Sequence, residues 1–325
     1  MDVIVVGAGA VGTVIGGLLA QAGHHVSWLA HSQTPRPDAW ALQRAGTAAI
    51  TSGPLRWIMP GAEPPASAWV IVCVRTPQLV AALRDVAEHL GPTRAVAIAT
   101  VTLDGARAAA RSAGLSGPVL ALHVSFGAGA LAAAPERVTW FPFSLPTTVS
   151  AEGQRPQLTA ARQLATALSR AGLPTTAALS RNGMMRFIAI ATTVVLPAWE
   201  LHSWRITQLA ADRELRELTA RALHECARAF APTDGWFRWL ALGLPRVAYA
   251  LALRALPLLM GQPTRALWLA HGPKVHDQTR HWLNELLSRA AHAHTTLPAL
   301  SELRGRWLAA CAENPQPLAA DALFE

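Results

Sequence analysis

The first twelve residues constrain the fold of this chain more than any other segment. An apolar run from Val3 to Val6 is typical of a buried parallel strand, and it leads directly into Gly7, Gly9 and Gly12 at the spacing G-x-G-x-x-G. Such a loop allows a tight turn, a close approach of backbone amides to a pyrophosphate, and close packing of the next helix on the strand. The loop therefore predicts a bound dinucleotide, held by Gly7, Ala8, Gly9, Ala10, Val11 and Gly12.

A G-x-G-x-x-G motif alone is weak evidence for dinucleotide binding, but the residues after the loop support the prediction. Apolar residues recur at helical spacing from Val14 to Leu19, Gly23 fits a helix C-cap, and His25 to Leu29 predicts a second strand. Together they form a strand–helix–strand unit of the right length for dinucleotide binding. A glycine turn without a ligand is the alternative, and this context disfavours it.

Predicted strands and helices keep alternating through the first half of the chain. Further strands are predicted at 69–74, 94–101, 119–123 and 175–178, and helices at 78–90 and 158–171. From about Arg181 onward only long apolar helical segments follow. The pattern predicts an α/β fold, with a Rossmann-type doubly wound parallel sheet in residues 1–179 and an all-helical domain for substrate binding or dimerisation in residues 180–325.

Composition argues against several classes of function. The net charge of +8 comes from scattered arginines without interleaved aromatic residues, so we expect no nucleic-acid partner. Cys73, Cys226 and Cys311 are odd in number and far apart, and no basic segment precedes the first strand. We therefore expect reduced thiols, no secretory signal and a cytoplasmic protein. Neither the three cysteines nor the histidines have the ligand spacing of a metal site, so we expect no bound metal.

The segment from Trp236 to Met260 is apolar enough to raise the question of a membrane span. Arg238, Arg246 and Arg254 interrupt it, as do two prolines, so we expect no stable span. Kinked helices that line an apolar pocket or a subunit interface explain the segment better, and we expect a homodimer. A membrane-associated or scaffolding protein built on these helices is the alternative.

The order of these features resembles the ketopantoate reductase family, and three segments carry the resemblance. They are the glycine loop, Val72 to Gln78, and Arg289 to His294 followed by Leu297 and Pro298. The resemblance implies an NADPH-dependent reductase. We expect hydride transfer to the carbonyl or imine carbon of a small molecule, a 2-keto acid or a larger apolar substrate, in the cleft between the two domains. The alternative is a diverged non-redox member, either an NADP(H)-binding regulator or a biosynthetic enzyme.

Charges near the second strand favour NADP(H) over NAD(H). A carboxylate there would bind the ribose hydroxyls of NAD and repel a 2′-phosphate, but none occurs between Leu29 and Pro37. By resemblance, His31 stands where the family carries an arginine, and Arg75 matches a lysine that meets the phosphate. A solvated loop histidine is the alternative for His31. Gln78 belongs to the same family-like segment as Arg75.

Two further segments resemble the family on the nicotinamide side of the cofactor. Asp104 and Gly105 fall where the family has Asn-Gly beside the nicotinamide ribose, and His123 to Ser125 resembles the segment that follows. The resemblance implies that Asp104 and Ser125 contact the cofactor. A plain turn residue is the alternative for Asp104.

The sequence departs from the family at the chemical step, where a helix-borne lysine donates the proton and a glutamate binds the substrate hydroxyl. Counting back from Pro197 places that lysine at Ile188, and counting back from His294 places the glutamate at Thr279. Neither residue can perform the family's chemistry. The substrate site must therefore use other residues if the chain is a reductase.

Lys274 is the only lysine in the chain, and lysine can shift its pKa whereas arginine practically cannot. Pro273 predicts a helix start, after which Lys274, Gln278 and His281 share one helix face. We expect Lys274 to donate a proton or to bind substrate, with Gln278 or His281 assisting; a solvated polar face is the alternative. Arg186 is the candidate clamp for a substrate carboxylate, or else an arginine at the edge of the core.

Overall fold

The chain divides into two compact units, Met1–Asn182 and Gly183–Glu325. The computed structural model describes residues 1–29, 38–59, 64–65, 67–100, 102–131, 134–143, 145–180, 182–230, 249, 253 and 276–313.

The first unit contains two β-sheets. In chain order the strands are β1 (Asp2–Val6), β2 (His25–Leu29), β3 (Ala39–Arg44), β4 (Ile50–Pro54), β5 (Trp57–Ile58), β6 (Trp69–Val72), β7 (Val96–Ile98), β8 (Val119–His123), β9 (Phe126–Leu131), β10 (Ala134–Pro142), β11 (Thr147–Ser150) and β12 (Thr175–Ala178). The larger sheet has the order β12-β11-β8-β7-β6-β1-β2-β5, and the smaller has the order β4-β3-β10-β9. All neighbours in the larger sheet are parallel except β8 and β11.

Helices cover both faces of the larger sheet. They are α1 (Ala10–Gln21), α2 (Leu79–Leu90), α3 (Ala106–Ser112) and α4 (Leu158–Arg170). Alternate residues of β1 point to opposite faces, so that Val3 and Val5 join the core formed with α1 and α4, while Ile4 and Val6 join the core formed with α2 and α3. This burial on two sides explains the apolar runs of the central strands, and the predicted doubly wound fold is confirmed.

The smaller sheet packs on the other side of α1. A methyl group at Gly16 would lie 2.5 Å from the ring of Trp28 in β2, and one at Gly17 would lie 2.7 Å from Leu42 in β3. Two adjacent glycines therefore let one helix pack closely against both sheets. The sequence does not indicate this second sheet, because its strands join two segments that lie far apart in the chain.

The described part of the second unit consists of helices, which confirms the predicted helical region. They are α5 (Asn182–Leu201), α6 (Ile206–Ala211), α7 (Arg213–Phe230), α8 (His276–His292) and α9 (Pro298–Glu313). Buried residues of its core include Leu218 and Cys226 on α7 and Leu303 on α9. No helix within the described residues is long and apolar enough to cross a membrane. Most of residues 236–260 lie outside the described ranges.

Candidate functional site

Two glycines of the first loop are required by close backbone contacts. Gly7 has φ +100°, and a methyl group there would lie 2.6 Å from the carbonyl oxygen of Cys73. A methyl group at Gly12 would lie 1.9 Å from the carbonyl oxygen of Gly7 and 3.2 Å from Val5. The first glycine therefore makes the turn, and the third lets α1 start close to the end of β1.

Gly9 has a different environment, because nothing lies within 4 Å of the place where its side chain would be. It is exposed and forms the N-cap of α1, and its carbonyl accepts the Thr13 N–H at 2.9 Å. The first turn of α1 contains no acidic residue, and its N-cap residue, Gly9, has no side chain that could cap the helix. The loop thus offers backbone N–H groups, the positive end of a helix dipole and open space, which together fit a pyrophosphate.

The loop also lies where the strand order reverses. From β1 the chain passes through α1 to β2 on one side, whereas β6, β7 and β8 follow on the other side. Since β1, β6, β7 and β8 are parallel, the loops that follow them share one edge of the sheet. In open α/β sheets, ligands bind outside the carboxyl ends of the strands, at the point where the strand order reverses.

The loop after β6 carries the predicted residues Arg75 and Gln78, both of which are exposed. The Arg75 N–H donates to Gln78 Oε1 at 3.4 Å, and the Gln78 N–H donates to the Arg75 carbonyl at 2.9 Å. Gln78 therefore braces its own 3-10 turn, while Arg75 lies at the carboxyl edge of the sheet. Burial raises the pKa of the neighbouring Cys73 thiol to about 12, which keeps it uncharged at neutral pH.

The loop after β7 leads to Asp104, which is exposed, and to Gly105, with φ +88°. The N-terminus of α3 is closed by a carboxylate from a distant turn. Glu152 accepts the Ala106 N–H at 3.1 Å and the Arg107 N–H at 2.8 Å. The sequence around Glu152 does not indicate this role; its only local signal is a Glu-Gly pair suited to a turn, in which Glu152 has φ 48°.

Ser125 lies just beyond the carboxyl end of β8 and is fixed by two backbone hydrogen bonds. Its N–H donates to Thr147 Oγ1 at 3.1 Å, and its carbonyl accepts the Phe143 N–H at 2.9 Å. Arg75, Asp104 and Ser125 thus follow three successive parallel strands at the edge that carries the glycine loop. His31, the remaining predicted cofactor residue, lies outside the described residues.

The predicted catalytic residues belong to the second unit, and Lys274 lies outside its described part. On α8, Gln278 is half-buried, whereas His281 is exposed, with Nε2 3.7 Å from Glu285 Oε2. Arg186 on α5 is half-buried, and its Nε is buried without a hydrogen-bond partner among the described residues. Arg186 therefore has hydrogen-bonding capacity that the described residues leave unused.

The second unit contains a buried polar cluster that the sequence does not indicate. Glu200, with a side chain 10% exposed, accepts hydrogen bonds from Thr279 Oγ1 and Trp307 Nε1, both at 2.7 Å. His276 Nδ1 lies 3.0 Å from Glu200, and the His276 ring lies 4.7 Å from that of Trp307. The cluster joins α5, α8 and α9. No local pattern could reveal it, because its members come from three separate helices.

The fold and the glycine loop define an α/β protein of the Rossmann class with an open nucleotide-binding loop. Residues 3–141 match the family described as ketopantoate reductase PanE/ApbA. The resemblance predicted from sequence is therefore confirmed, and the family's description is that of an oxidoreductase. Comparison with curated protein sequences gives no match.

Solved structures share this fold over nearly the whole chain. D-mandelate dehydrogenase with NADH and anilino(oxo)acetate has a TM-score of 0.70 at 14% identity, covering 95% of this chain and 97% of that one. Dimeric ketopantoate reductase from Staphylococcus aureus has a TM-score of 0.67 at 14% identity, covering 95% and 98%. A PanE/ApbA family ketopantoate reductase from Ralstonia eutropha JMP134 has a TM-score of 0.65 at 19% identity, covering 94% and 97%.

Proposed function

We propose that the protein is an NADP(H)-dependent oxidoreductase that transfers a hydride to the carbonyl or imine carbon of a small molecule. The observation that carries the proposal is the open space at Gly9, beside a helix N-terminus without an acidic side chain. Gly7 to Gly12 would hold the pyrophosphate through backbone N–H groups. When bound, the nicotinamide supplies the hydride.

The preference for NADP(H) rests on charge. No carboxylate lies between Leu29 and Pro37 to bind ribose hydroxyls, and the exposed Arg75 follows the neighbouring strand β6. His31 and Arg75 would meet the 2′-phosphate. Asp104 and Ser125, after β7 and β8, would meet the nicotinamide half.

For the substrate we propose a 2-keto acid or a larger apolar carbonyl compound. Arg186 would clamp a carboxylate, since a guanidinium with a buried, unpaired Nε gains a strong charge-assisted hydrogen bond from an anion. Lys274 would donate the proton to the carbonyl oxygen, with Gln278 or His281 assisting. One structural relative is a dehydrogenase solved with anilino(oxo)acetate, and another is described as dimeric, which supports this substrate class and a homodimer.

The cofactor proposal is tested by titrating NADPH and NADH while following tryptophan fluorescence. Gly9→Ala places a methyl group where the pyrophosphate would lie, so we expect the Kd for NADPH to rise about 10-fold or more, a loss of about 1.4 kcal/mol. Gly305→Ala on α9 is the matched control, since a methyl group there also meets nothing within 4 Å. Equal NADPH affinity in both variants, or absence of NADPH binding by the wild type, would overturn the proposal.

The chemical proposal is tested by following NADPH absorbance with a panel of 2-keto acids, larger ketones and cyclic imines. We expect Lys274→Ala and Lys274→Arg each to lower kcat by about 100-fold or more, because neither side chain can donate the proton. Survival of turnover in both variants would remove Lys274 from the mechanism. Tight NADPH binding without turnover of any compound would instead favour a regulator or a non-redox biosynthetic enzyme.

A further inference from the structure

A cavity of about 330 Å³ lies in the first unit beside the start of β8. Its volume is at the lower end of the range for small-molecule sites. No acidic side chain occurs among its described lining residues, which include two arginines, so the cavity is positively charged. The polar part of the lining comes from α3, from the loop between α3 and β8, and from the turn before α4: Arg107, Arg111, Ser116 and Gln157.

This cavity lies away from the predicted pyrophosphate site. Because β8 runs parallel to β7, β6 and β1, its start lies at the edge of the sheet opposite to the glycine loop. The five residues of β8 span about 16 Å. None of the predicted cofactor residues lines the cavity. It is therefore a separate site.

Arg107 and Arg111 give the cavity its charge. They are four residues apart on α3, so their side chains are neighbours on one face of the helix. Like charges at this spacing destabilise a helix, and neither guanidinium has a hydrogen bond or an ion pair with another residue that the structure describes. Since each guanidinium can form two parallel hydrogen bonds with an oxyanion, the pair is suited to a ligand with a charge of about −2.

The opposite wall of the cavity is fixed by backbone contacts. The N–H groups of Ser116 and Gly117 both donate to the Pro92 carbonyl, at 2.8 and 3.1 Å. A methyl group at Gly117 would lie 2.3 Å from the Arg94 carbonyl oxygen, so the loop cannot move inward. The cavity is therefore formed before a ligand binds.

Gln157 adds a hydrogen-bond acceptor to the lining. Its Oε1 is buried and has no hydrogen-bond partner among the described residues. A buried acceptor without a donor is costly, and a fully ionised phosphate has no hydrogen to donate. The acceptor therefore requires a second group on the ligand, such as a hydroxyl.

We infer that this cavity binds a small phosphate monoester that carries a free hydroxyl group. A phosphate monoester has a charge of about −1.5 to −2 at pH 7 and three acceptor oxygens, which match the two guanidiniums, whereas a carboxylate would leave one of them without a counter-charge. The hydroxyl donates to Gln157 Oε1. The inference does not rest on the proposed function, because the cavity contains none of the predicted cofactor or catalytic residues.

The test compares glycerol 3-phosphate with methyl phosphate, which lacks free hydroxyl groups, by calorimetry on the full chain with and without NADPH. We expect the wild type to bind glycerol 3-phosphate about 10-fold more tightly. Arg111→Gln removes the charge of an exposed side chain and should weaken both ligands about 10-fold or more. Arg170→Gln, at an exposed position in the last turn of α4, is the control of equal charge and should change neither affinity.

Gln157→Leu tests the acceptor separately. The Gln157 side chain makes no capping hydrogen bond to α4, so we expect the variant to fold. It should lower the affinity for glycerol 3-phosphate to that for methyl phosphate, which should still bind.

Four outcomes overturn the inference. They are binding of neither ligand, equal weakening by Arg111→Gln and Arg170→Gln, a preference for glycerol 3-phosphate that survives Gln157→Leu, and competition of both ligands with NADPH that Arg111→Gln leaves unchanged. The second would show a response to net charge alone, and the last would place the ligands at the glycine loop. Failure of NADPH to bind would overturn the proposed function and leave this inference standing.

Discussion

The N-terminus of α9 is capped by a carboxylate of the protein, whereas the N-terminus of α1 is not. At α9, the carboxylate of Glu225 accepts the Ala299 N–H at 2.9 and 3.0 Å and the Leu300 N–H at 3.2 Å. Asp212 at α7 and Glu152 at α3 do the same with backbone N–H groups. The first turn of α1 has no acidic residue, and Gly9 precedes it.

The difference separates helix ends that stabilise the fold from one that is suited to a ligand. A helix N-terminus attracts negative charge, and a carboxylate of the protein satisfies it permanently. An N-terminus that lacks such a carboxylate, at the reversal of the strand order, is suited to the phosphates of a ligand instead. Three variants test this comparison.

The largest effect is expected from Gly12→Ala, which tests whether the fold requires the loop's close packing. A methyl group 1.9 Å from the Gly7 carbonyl forces β1 and α1 apart, so we expect a loss of about 3 kcal/mol or more in the free energy of unfolding. Denaturant unfolding followed by circular dichroism measures it. Gly305→Ala, at an exposed position inside α9, should lose no stability and should gain about 0.5 to 1 kcal/mol, because alanine favours a helix more than glycine does. Equal stability of the two variants would contradict the loop geometry.

A carboxylate introduced in the first turn of α1 should give its N-terminus the negative charge that Glu225 supplies at α9. In Ala10→Asp the new charge lies in the first turn, where it favours the helix but repels a pyrophosphate, so we expect the Kd for NADPH to rise about 100-fold without loss of stability. Fluorescence titration and thermal unfolding measure the two quantities. Ala10→Asn is similar in size but uncharged and should retain most of the affinity. If the Asp and Asn variants behave alike, charge is not what the α1 N-terminus selects.

The smallest effect is expected at α7, where Asp212 accepts a hydrogen bond from a backbone N–H of the helix N-terminus. The Leu215 N–H, with help from His202, lowers the pKa of Asp212 below its usual 3.8. Because the folded-state pKa is the lower one, this carboxylate stabilises the fold above pH 3.8, and the contribution is lost as the pH falls through the lowered pKa. Asp212→Ala should cost about 1 kcal/mol at pH 7 and less at pH 3. Denaturant unfolding at both pH values checks this, and a cost independent of pH would show that the charge is not involved.

Much of the larger sheet could be predicted from the sequence. The strands at His25–Leu29, Val119–His123 and Thr175–Ala178 have the predicted bounds. Of these, Val119–His123 begins with a run of buried apolar residues, as expected for a strand that is covered on both faces. The predicted strand at 94–101 shortens to Val96–Ile98. The smaller sheet was missed, since its pairing of β3 with β10 depends on contacts between remote segments.

The cofactor loop could be predicted from the sequence, whereas two carboxylates that accept hydrogen bonds, Glu152 in the first unit and Glu200 in the second, could not. Gly7, Gly9 and Gly12 could be identified because their spacing alone specifies a backbone shape. The roles of Glu152 and Glu200 could not be identified, because each accepts hydrogen bonds from helices elsewhere in the chain. The residues next to them in the sequence do not indicate which groups will donate those hydrogen bonds.

The sequence by itself determined the glycine loop, the doubly wound sheet, the helical second half and the resemblance to the PanE/ApbA family over residues 3–141. Each of these follows from local spacing and from the periodicity of apolar residues, which are properties of consecutive residues. Only the tertiary structure decided which helix ends receive carboxylates and that α1 lies between two sheets. These depend on which segments fold against one another, and long-range packing fixes that.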